Sequence, residues 1–382
     1  FIALNRHSAS PKTARRSLQE FALVPDQDRN SLPDGLEDAY PLTPLQLGMF
    51  IQTLSSDIET VYHDVFSFEL TLDFVETLFT AAIQTVVSHH PILRTGFDFD
   101  SFSIPLQLVH ANVPANILVH DITFHDPEAQ NGYIARNIEI IRSRSVPPEG
   151  PSLIRFSIFK KSSDCIQLVI DAHHAILDGW SMATVQRQIF EHYRNLKDGK
   201  ELADVFSTGG IRFADYVAQQ IEDAENIDSR EFWDAYCAAS GSGAIADTLQ
   251  LSKVSHSMSM ALDQEVMREL KQVADHHGIQ VKALLVAAHA FTIQSVLGQR
   301  SLLTGVSDNG RPEEDGARNV VGLFLNVLPL HCDLRAKTWL ELGRALQHAD
   351  ANMKPHRRFP FANILQRNHK VKVDTLFTYT NF

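Results

Sequence analysis

The segment HHAILDGWS contains the residues best suited to chemistry in this chain, His173, His174, Asp178 and Gly179. A histidine exchanges protons near neutral pH, and a nearby carboxylate can orient its ring or organise its loop. A glycine lets the backbone approach a reacting carbonyl group more closely than a bulkier residue would. The spacing therefore indicates acid–base or hydrogen-bonding chemistry at a carbonyl centre.

A purely structural role is the alternative for any pair of adjacent histidines, because such residues also occur at strand ends as ordinary polar groups. The chain contains two further pairs, His89–His90 and His276–His277. A metal site is disfavoured at His173 and His174, because neighbouring side chains on a strand point to opposite faces and neither HExxH nor a facial-triad spacing is present. No bound metal is therefore expected.

A strand and a helix are predicted to hold this segment between them. The β-rich runs SLIRFSIFK and CIQLVIDA, separated by KKSSD, predict a hairpin whose second strand leads directly into the histidines. Beyond Gly179, the apolar residues Met182, Val185 and Ile189 recur at helical spacing. A junction of this kind presents side chains from a rigid scaffold, as catalytic sites commonly require.

Helices and strands are intermixed along the rest of the chain. Helices are predicted in residues 43–52 and 73–88, in RFADYVAQQIEDA, REFWDAYCAA and DQEVMRELKQVADHH, and in VKALLVAAHAFTIQSVLG. The last of these is nearly all apolar and is expected to be buried. Strands are predicted after Pro91 and in SLLTGVSDNGRP and VVGLFLNVLPLHCDL. The pattern has no fixed-period repeat and predicts an α/β or α+β fold.

The length of 382 residues exceeds one compact core, so two subdomains are expected. Residues 1–38 are polar, contain the basic run KTARR and predict a linker or a surface-hugging N-terminal arm, with ordered packing from about Tyr40. A Gly-containing stretch at 197–210 divides the remainder into subdomains at 39–205 and 206–382. The final residues LFTYTNF stop within a strand-like run, so the second subdomain is expected to be incomplete at its end.

Composition disfavours several classes of function. A net charge of −12 argues against nucleic-acid binding, which requires a basic surface to displace counterions from phosphates. The cysteines, Cys165, Cys237 and Cys332, are scattered and fit a reducing compartment better than a disulfide framework. No run of about 18 apolar residues and no secretory signal is present. We therefore expect a cytoplasmic protein that contacts neither nucleic acid nor membrane.

HHAILDGWS also matches the HHxxxDG signature of condensation domains of nonribosomal peptide synthetases, and an ordered series of segments extends this resemblance over nearly the whole chain. YPLTPLQLGMF resembles the opening motif of that family, and HHPILRTGF resembles its second. RFADYVAQQ with REFWDAY, VSDNGRPEE and VVGLFLNVLPL are similar to later motifs, and RRFPFANIL and VDTLFTYTNF resemble the last two. Val327 and His331 depart from the Thr and Arg usual in the family, which bears on substrate preference more than on fold.

This resemblance implies a fold similar to chloramphenicol acetyltransferase, with two similar halves arranged as a V around a central tunnel. It implies amide-bond formation between a donor acyl or peptidyl thioester and the α-amine of an acceptor aminoacyl thioester. Each substrate would arrive on the 4′-phosphopantetheine arm of an upstream or downstream peptidyl carrier domain, with an adenylation domain as neighbour. The domain itself would bind no cofactor, and its sequence contains no carrier-like GGxSL.

The resemblance assigns the chemistry to His174, either as a general base for the attacking amine or as a hydrogen-bonding group that positions it. Both roles stay open, because an α-amine with a pKa of roughly 8 is partly neutral without help. His173 is expected to support the loop. Asp178 is expected to organise the loop by pairing with Arg311 or Arg94.

Three further residues are candidates for the tunnel and the substrate. Ser307 and Asn326 are expected to line the tunnel, although Asn326 could equally satisfy a backbone group. Trp180 is expected to pack at the start of the helix more than to contact substrate, because a large aromatic side chain beside a glycine usually serves packing.

Other activities of the same fold stay open. YPLTPLQLGM and HHAILDGW resemble the subtype that takes a donor with a D-configured terminal residue. An epimerization domain shares the fold and the HHxxxDG loop, although HHPILRTGF and VGLFLNVLPL resemble condensation domains better. A cyclizing domain would carry two aspartates in place of the histidines, and a terminal cyclizing domain is harder to exclude. A non-catalytic recruitment module would have an eroded signature.

Overall fold

The computed structural model describes residues 18–55, 61–144, 146–200, 206–240, 257–298 and 301–380. The basic run KTARR and residues 201–205 of the predicted boundary lie outside these ranges. Helices and strands intermix along the described chain, which confirms the mixed fold class. The strands are β1 Leu36–Pro41, β2 His63–Thr71, β3 Thr95–Asp98, β4 Leu106–His110, β5 Asn116–Asp121, β6 Ile154–Lys160, β7 Cys165–His173, β8 Ser301–Asn309, β9 Leu325–Asp333 and β10 Leu376–Phe377. The helices are α1 Pro44–Ser55, α2 Glu76–His89, α3 Pro127–Ser143, α4 Gly179–Lys197, α5 Phe213–Glu225, α6 Ile227–Ser240, α7 Gln264–His277, α8 Val281–Leu297, α9 Trp339–Met353 and α10 Phe361–Arg367.

The HHAILDGWS segment follows an inner strand of a four-stranded sheet ordered β2-β7-β6-β5. β7 pairs antiparallel with β6 across the KKSSD loop, so the predicted hairpin is confirmed. It also pairs with β2 along its length, from His63 opposite His173 to Thr71 opposite Cys165. Because of this register, the start of β2 lies beside the two histidines.

Two three-stranded sheets accompany the first, ordered β1-β4-β3 and β10-β8-β9. In the second of these, β8 and β9 pair antiparallel from Ser301 opposite Asp333 to Asn309 opposite Leu325. β10 pairs parallel with β8. Residues 320–324 lie directly before β9 in the sequence, and they pack against the first half of the chain.

The main hydrophobic core takes residues from both predicted subdomains. Phe213 and Tyr216 of α5, together with Val320 and Phe324 before β9, belong to the core built around β7. A second core surrounds Trp233 of α6 and the β8–β9 pair. Packing therefore crosses the predicted division at residue 205 and connects the HHAILDGWS loop to the segment before β9.

Ordered packing begins earlier in the chain than the sequence predicts. Val24 is 3% exposed and packs with β1 and β4. Arg212 pairs with Asp38 at 3.1 Å and thereby ties the start of β1 to the N-terminus of α5. The expected start near Tyr40 is corrected, because an apolar side chain and an ion pair anchor residues before it.

α8 is only half buried, which corrects the expectation from its apolar sequence. Phe291 is 47% exposed and Val296 is 68% exposed, and Phe291 contacts Trp339 of α9 with ring centroids 5.0 Å apart. Neighbouring elements cover one face of the helix, which carries Ala283, Leu284, Val286, Ala287 and Ala290. In the described ranges no single helix is long and apolar enough to cross a membrane, and α7 and α8 reach that composition only as a pair bent by 112°.

Candidate active site

The end of β7 positions both histidines through backbone hydrogen bonds. The N–H of His173 donates to the carbonyl of Leu153 at 3.1 Å, and the N–H of His174 donates to the carbonyl of Tyr62 at 2.7 Å. A short 3₁₀ turn, His174–Ile176, then leads to Asp178, which caps α4. The strand, loop and helix therefore follow each other as the sequence predicts.

His173 is a buried part of the scaffold. The residue is 1% exposed, and its ring stacks on Phe50 with centroids 4.4 Å apart. Its Nδ1 accepts from the N–H of Ala175 at 3.1 Å, so the neutral ring carries its proton on Nε2, which lies 3.2 Å from the hydroxyl of Thr53. Burial lowers the pKa of His173 to about 4. The ring therefore stays neutral at physiological pH and holds the loop.

Acidification is expected to destabilise the fold through His173. Its pKa is lowered from 6.5 to about 4 in the folded protein, so the unfolded chain binds the proton more tightly. Stability present above the unfolded pKa is lost as the pH falls towards the folded pKa, by roughly 3 kcal/mol. Thermal unfolding between pH 7 and 4 measures this loss. His173→Phe keeps an aromatic ring but cannot bind a proton, so its stability should depend less on pH; equal pH dependence of the two proteins would contradict this account.

His174 is the more accessible of the two histidines. Its side chain is 29% exposed, and Nδ1 lies 2.7 Å from Oδ2 of Asp64 on β2. This contact is a close charge pairing with poor hydrogen-bond alignment, since Nδ1 is buried and has no well-directed partner. Burial acts to lower the pKa of His174, but the Asp64 carboxylate and the charge of Asp178 together raise it above its usual value. Nε2, the other ring nitrogen, is therefore the atom through which this residue can exchange a proton.

Asp178 is saturated by contacts within the protein. It is 2% exposed, and its Oδ1 accepts from the N–H of Ser181 at 2.7 Å. Its Oδ2 accepts from the N–H of Phe324 at 3.1 Å, and its own N–H donates to the carbonyl of Gly322 at 3.2 Å. The carboxylate thus caps α4 and binds the segment before β9 at the same time.

Arg311 completes this connection. Its Nη2 lies 3.5 Å from Oδ1 of Asp178 and donates to the hydroxyl of Ser181 at 2.9 Å. Its Nη1 donates to the carbonyls of Ala317 and Val320, and the guanidinium lies 3.9 Å from the ring centre of Phe324. The structure therefore brings Asp178 and Arg311 together, and their contacts fasten the loop to the second half.

Arg94 lies elsewhere, and its expected pairing with Asp178 is corrected. Its guanidinium donates to the carbonyls of His110 and Ala111 and pairs with Glu37 at 3.0 Å. These partners belong to β1 and to the end of β4. The residue follows the second histidine pair in the sequence, but the 3₁₀ turn after Pro91 directs it to that sheet edge.

Asn326 binds backbone groups, which is the second of its two predicted roles. It is 3% exposed, and its Nδ2 donates to the carbonyls of Arg357 and Phe359, each at 2.8 Å. Ser307 lies on β8 opposite Val327 and is partly buried. Through these hydrogen bonds, Asn326 connects β9 to the segment before α10.

Gly179 and Trp180 are the first two residues of α4, and both are exposed. Trp180 is 39% exposed, and its indole N–H donates to the carbonyl of Arg318 at 3.0 Å. The indole therefore bridges the helix start to the second half.

Two residues of the site were missed by the sequence reasoning. Ser181 donates to the carbonyl of Gly322 at 2.7 Å, and its backbone N–H could have been anticipated as the partner of Asp178, since an N-cap aspartate accepts from the second or third residue of its helix. Asp64 has no such signal, because only the pairing of β2 with β7 brings it to His174. The position of Gly322 requires a glycine, because a Cβ there would lie 2.3 Å from the ring of Phe213.

No group of three or more His, Cys, Asp or Glu side chains that could hold a metal ion occurs among the residues with described positions. The site contains His174, which can exchange a proton, and the buried Asp178–Arg311 pair, which fixes the loop that carries this histidine.

Solved structures define the class of fold. The structure is similar to the first condensation domain of the calcium-dependent antibiotic synthetase in complex with a substrate analogue, with a TM-score of 0.75 and 19% identity over 90% of this chain and 80% of that one. It is also similar to the cyclization-docking bidomain of EpoB from Sorangium cellulosum, with a TM-score of 0.72 and 16% identity over 89% of this chain and 70% of that one. The predicted chloramphenicol acetyltransferase-like fold is confirmed by the first likeness.

Residues 36–382 match the family model described as Condensation domain, so the chain belongs to the condensation domains of nonribosomal peptide synthetases. Its sequence is 32% identical over 375 residues to the AMB antimetabolite synthetase AmbE of Pseudomonas aeruginosa, covering 97% of this chain. It is 29% identical over 364 residues to a linear gramicidin synthase of Brevibacillus parabrevis, covering 91% of this chain. The chain spans 18% and 5% of the lengths of these relatives.

Proposed function

We propose that this domain forms an amide bond between two substrates that carrier domains deliver as thioesters. The observation that supports this most directly is the environment of His174, whose Nδ1 faces Asp64 while 29% of its side chain is exposed. Asp178 is occupied by structural contacts and is not available for proton transfer. His174 is therefore the catalytic residue in this proposal.

The reaction forms one C–N bond and breaks one C–S bond. The α-amine of the acceptor attacks the donor thioester carbonyl, and the tetrahedral intermediate then expels the donor carrier's thiolate. Nε2 of His174 accepts the proton that the attacking nitrogen loses, and that proton is returned to the leaving sulfur directly or through solvent. Because the thioester is already activated, alignment of the two reactants supplies much of the acceleration.

Carrier domains upstream and downstream, and a neighbouring adenylation domain, are the proposed partners. The resemblance to large synthetases supports this, as does the similarity to holo-AB3403, described as a four domain nonribosomal peptide synthetase, with a TM-score of 0.71, 18% identity and coverage of 88% of this chain and 25% of that one. Each substrate would enter on a phosphopantetheine arm, which is substrate here and not a resident cofactor. Ser307 is proposed to lie along the path of one of these arms.

The acceptance of a donor with a D-configured terminal residue is a finer proposal. It is supported by the segments YPLTPLQLGM and HHAILDGW. Epimerization and terminal cyclization are alternatives on the same fold, whereas a thiazoline-forming cyclizing domain is disfavoured because His173 and His174 occupy the positions where two aspartates would be expected. A recruitment module is disfavoured by the intact contacts of Asp178 with Arg311.

A reconstituted assay tests this proposal. Donor carriers loaded with dipeptides ending in D-Ala or L-Ala are mixed with the domain and with acceptor carriers loaded with a panel of amino acids. Mass spectrometry of the intact acceptor carrier is expected to show a tripeptidyl thioester, formed faster from the D-Ala donor.

Two outcomes would overturn parts of the proposal. Incorporation of solvent deuterium into the carrier-bound residue without any amide product would support epimerization. Equal rates with D-Ala and L-Ala donors would overturn the stereochemical subtype and leave amide formation intact.

A further inference from the structure

Asp64 stands outside the HHxxxDG loop and outside every motif recognised in the sequence. It is the second residue of β2 and is paired with Ala172 in the register of the sheet. This register places its carboxylate beside the residue that follows β7, with Oδ2 2.7 Å from Nδ1 of His174. The Asp64 side chain is 38% exposed, so the carboxylate lies at the surface of the site and not within the core.

The backbone leading into β2 is shaped to hold this contact. Tyr62 adopts a φ of 62°, in the left-handed region that non-glycine residues rarely occupy. Its carbonyl accepts the N–H of His174 at 2.7 Å, and its hydroxyl donates to Gln52 at 2.8 Å. The turn at Tyr62 therefore fixes the backbones of β2 and of the histidine loop to each other, two residues before Asp64.

We propose that Asp64 is a positioning residue for the reaction: its carboxylate keeps the proton of neutral His174 on Nδ1 and so leaves Nε2 bare to accept the proton of the attacking amine. This inference rests on the proposed function. A carboxylate that faces one ring nitrogen selects the tautomer and stabilises the imidazolium that forms when the other nitrogen is protonated. Asp178 cannot serve this purpose, since both of its oxygens are bound by other groups.

The charges around His174 define the expected pH dependence. They are the carboxylates of Asp64 on β2 and of Asp178 in the loop, the latter shared with Arg311, while the neighbouring ring of His173 on β7 is neutral. Burial lowers the pKa of His174 while the two carboxylates raise it. Removing the Asp64 charge should therefore lower that pKa and move the acid limb of the rate profile to lower pH.

Asp64→Asn tests this inference, because it keeps the shape of the side chain and removes its charge. Glu69→Gln is the matched control, since Glu69 is an exposed carboxylate on the same strand that pairs with Lys161. In Asp64→Asn we expect kcat for amide formation to fall roughly 10- to 100-fold. The midpoint of the acid limb should fall by on the order of one pH unit. Glu69→Gln should change neither quantity.

Nitrogen NMR of histidine-labelled protein gives a readout that needs no substrate. The His174 signals are assigned by their loss in His174→Gln. In the wild type we expect the neutral ring to be protonated on Nδ1, and in Asp64→Asn the titration midpoint should fall together with the rate midpoint. A midpoint that stays unchanged in Asp64→Asn would overturn the inference.

The two proposals can fail separately. If the wild type forms the amide while Asp64→Asn retains its kcat and its rate midpoint, the positioning role is wrong and the proposed function stands. If the wild type forms no amide but its His174 midpoint still depends on Asp64, the proposed function is wrong and the coupling of the two side chains is supported.

Discussion

Replacing His174 by glutamine is expected to lower kcat for amide formation roughly 10²- to 10⁴-fold, the range typical of the loss of a general base. Glutamine has a similar reach and can still donate or accept a hydrogen bond, but it cannot take up a proton. His174→Ala removes both capacities. The comparison therefore separates the two roles that the sequence leaves open, because a positioning group would be partly replaced by glutamine and a base would not.

The pH profile of the wild type gives the second half of this test. A general base must be neutral, so activity should fall as the pH decreases through the pKa of His174. That pKa is raised because the carboxylates of Asp64 and Asp178 outweigh the effect of burial. The acid limb should therefore lie above the ordinary histidine pKa of about 6.5.

A matched control comes from another adjacent histidine pair in the chain. His276 is exposed at the end of α7, so His276→Gln should retain the wild-type rate. Thermal midpoints of the wild type, His174→Gln and His276→Gln should agree, since the ring of His174 is partly exposed and its loop is held by other residues. A His174→Gln variant that keeps the wild-type kcat would overturn the base role, and equal losses in His174→Gln and His276→Gln would show a general effect of the substitution.

The loop and its immediate neighbours could be predicted because their positions depend on local patterns. The β-rich run of β7 and the helical spacing after Gly179 indicate where the strand ends and the helix begins. The Asp178–Arg311 contact could be anticipated from two motifs of one family. Arg94 could not be placed in this way, because its destination depends on the turn that begins at Pro91 and on the position of the end of β4, whose carbonyl groups it binds.

Contacts that arise from strand pairing could not be predicted from the sequence. Asp64 is an ordinary acidic residue within β2, and nothing near it indicates a histidine partner. The half-exposed state of α8 is a related case, since hydropathy describes a helix as a whole while burial depends on which face its neighbours cover. Both features depend on which distant elements pack beside the segment, and the sequence of one segment does not identify its neighbours.

Replacing Arg311 by methionine is expected to lower the free energy of unfolding by about 3–5 kcal/mol, the range observed when one partner of a buried ion pair is removed. The guanidinium is 7% exposed, so its loss leaves the buried charge of Asp178 with fewer compensating contacts. It also removes the Arg311 donor to the carbonyl of Val320 and one of the two donors to the carbonyl of Ala317, which keeps the N–H of Val320. Methionine fills much of the same space, so the expected loss comes from charge and hydrogen bonding and not from a cavity.

Arg335→Met is the control for this prediction, because Arg335 also pairs with an aspartate but its side chain is 74% exposed. Its stability should stay close to that of the wild type. Thermal unfolding of both variants, of Asp178→Asn and of the double variant Asp178→Asn/Arg311→Met checks the cause, since removing both charges should cost less than the sum of the Asp178→Asn and Arg311→Met losses. Strictly additive losses would mean that the two side chains stabilise the loop independently of each other.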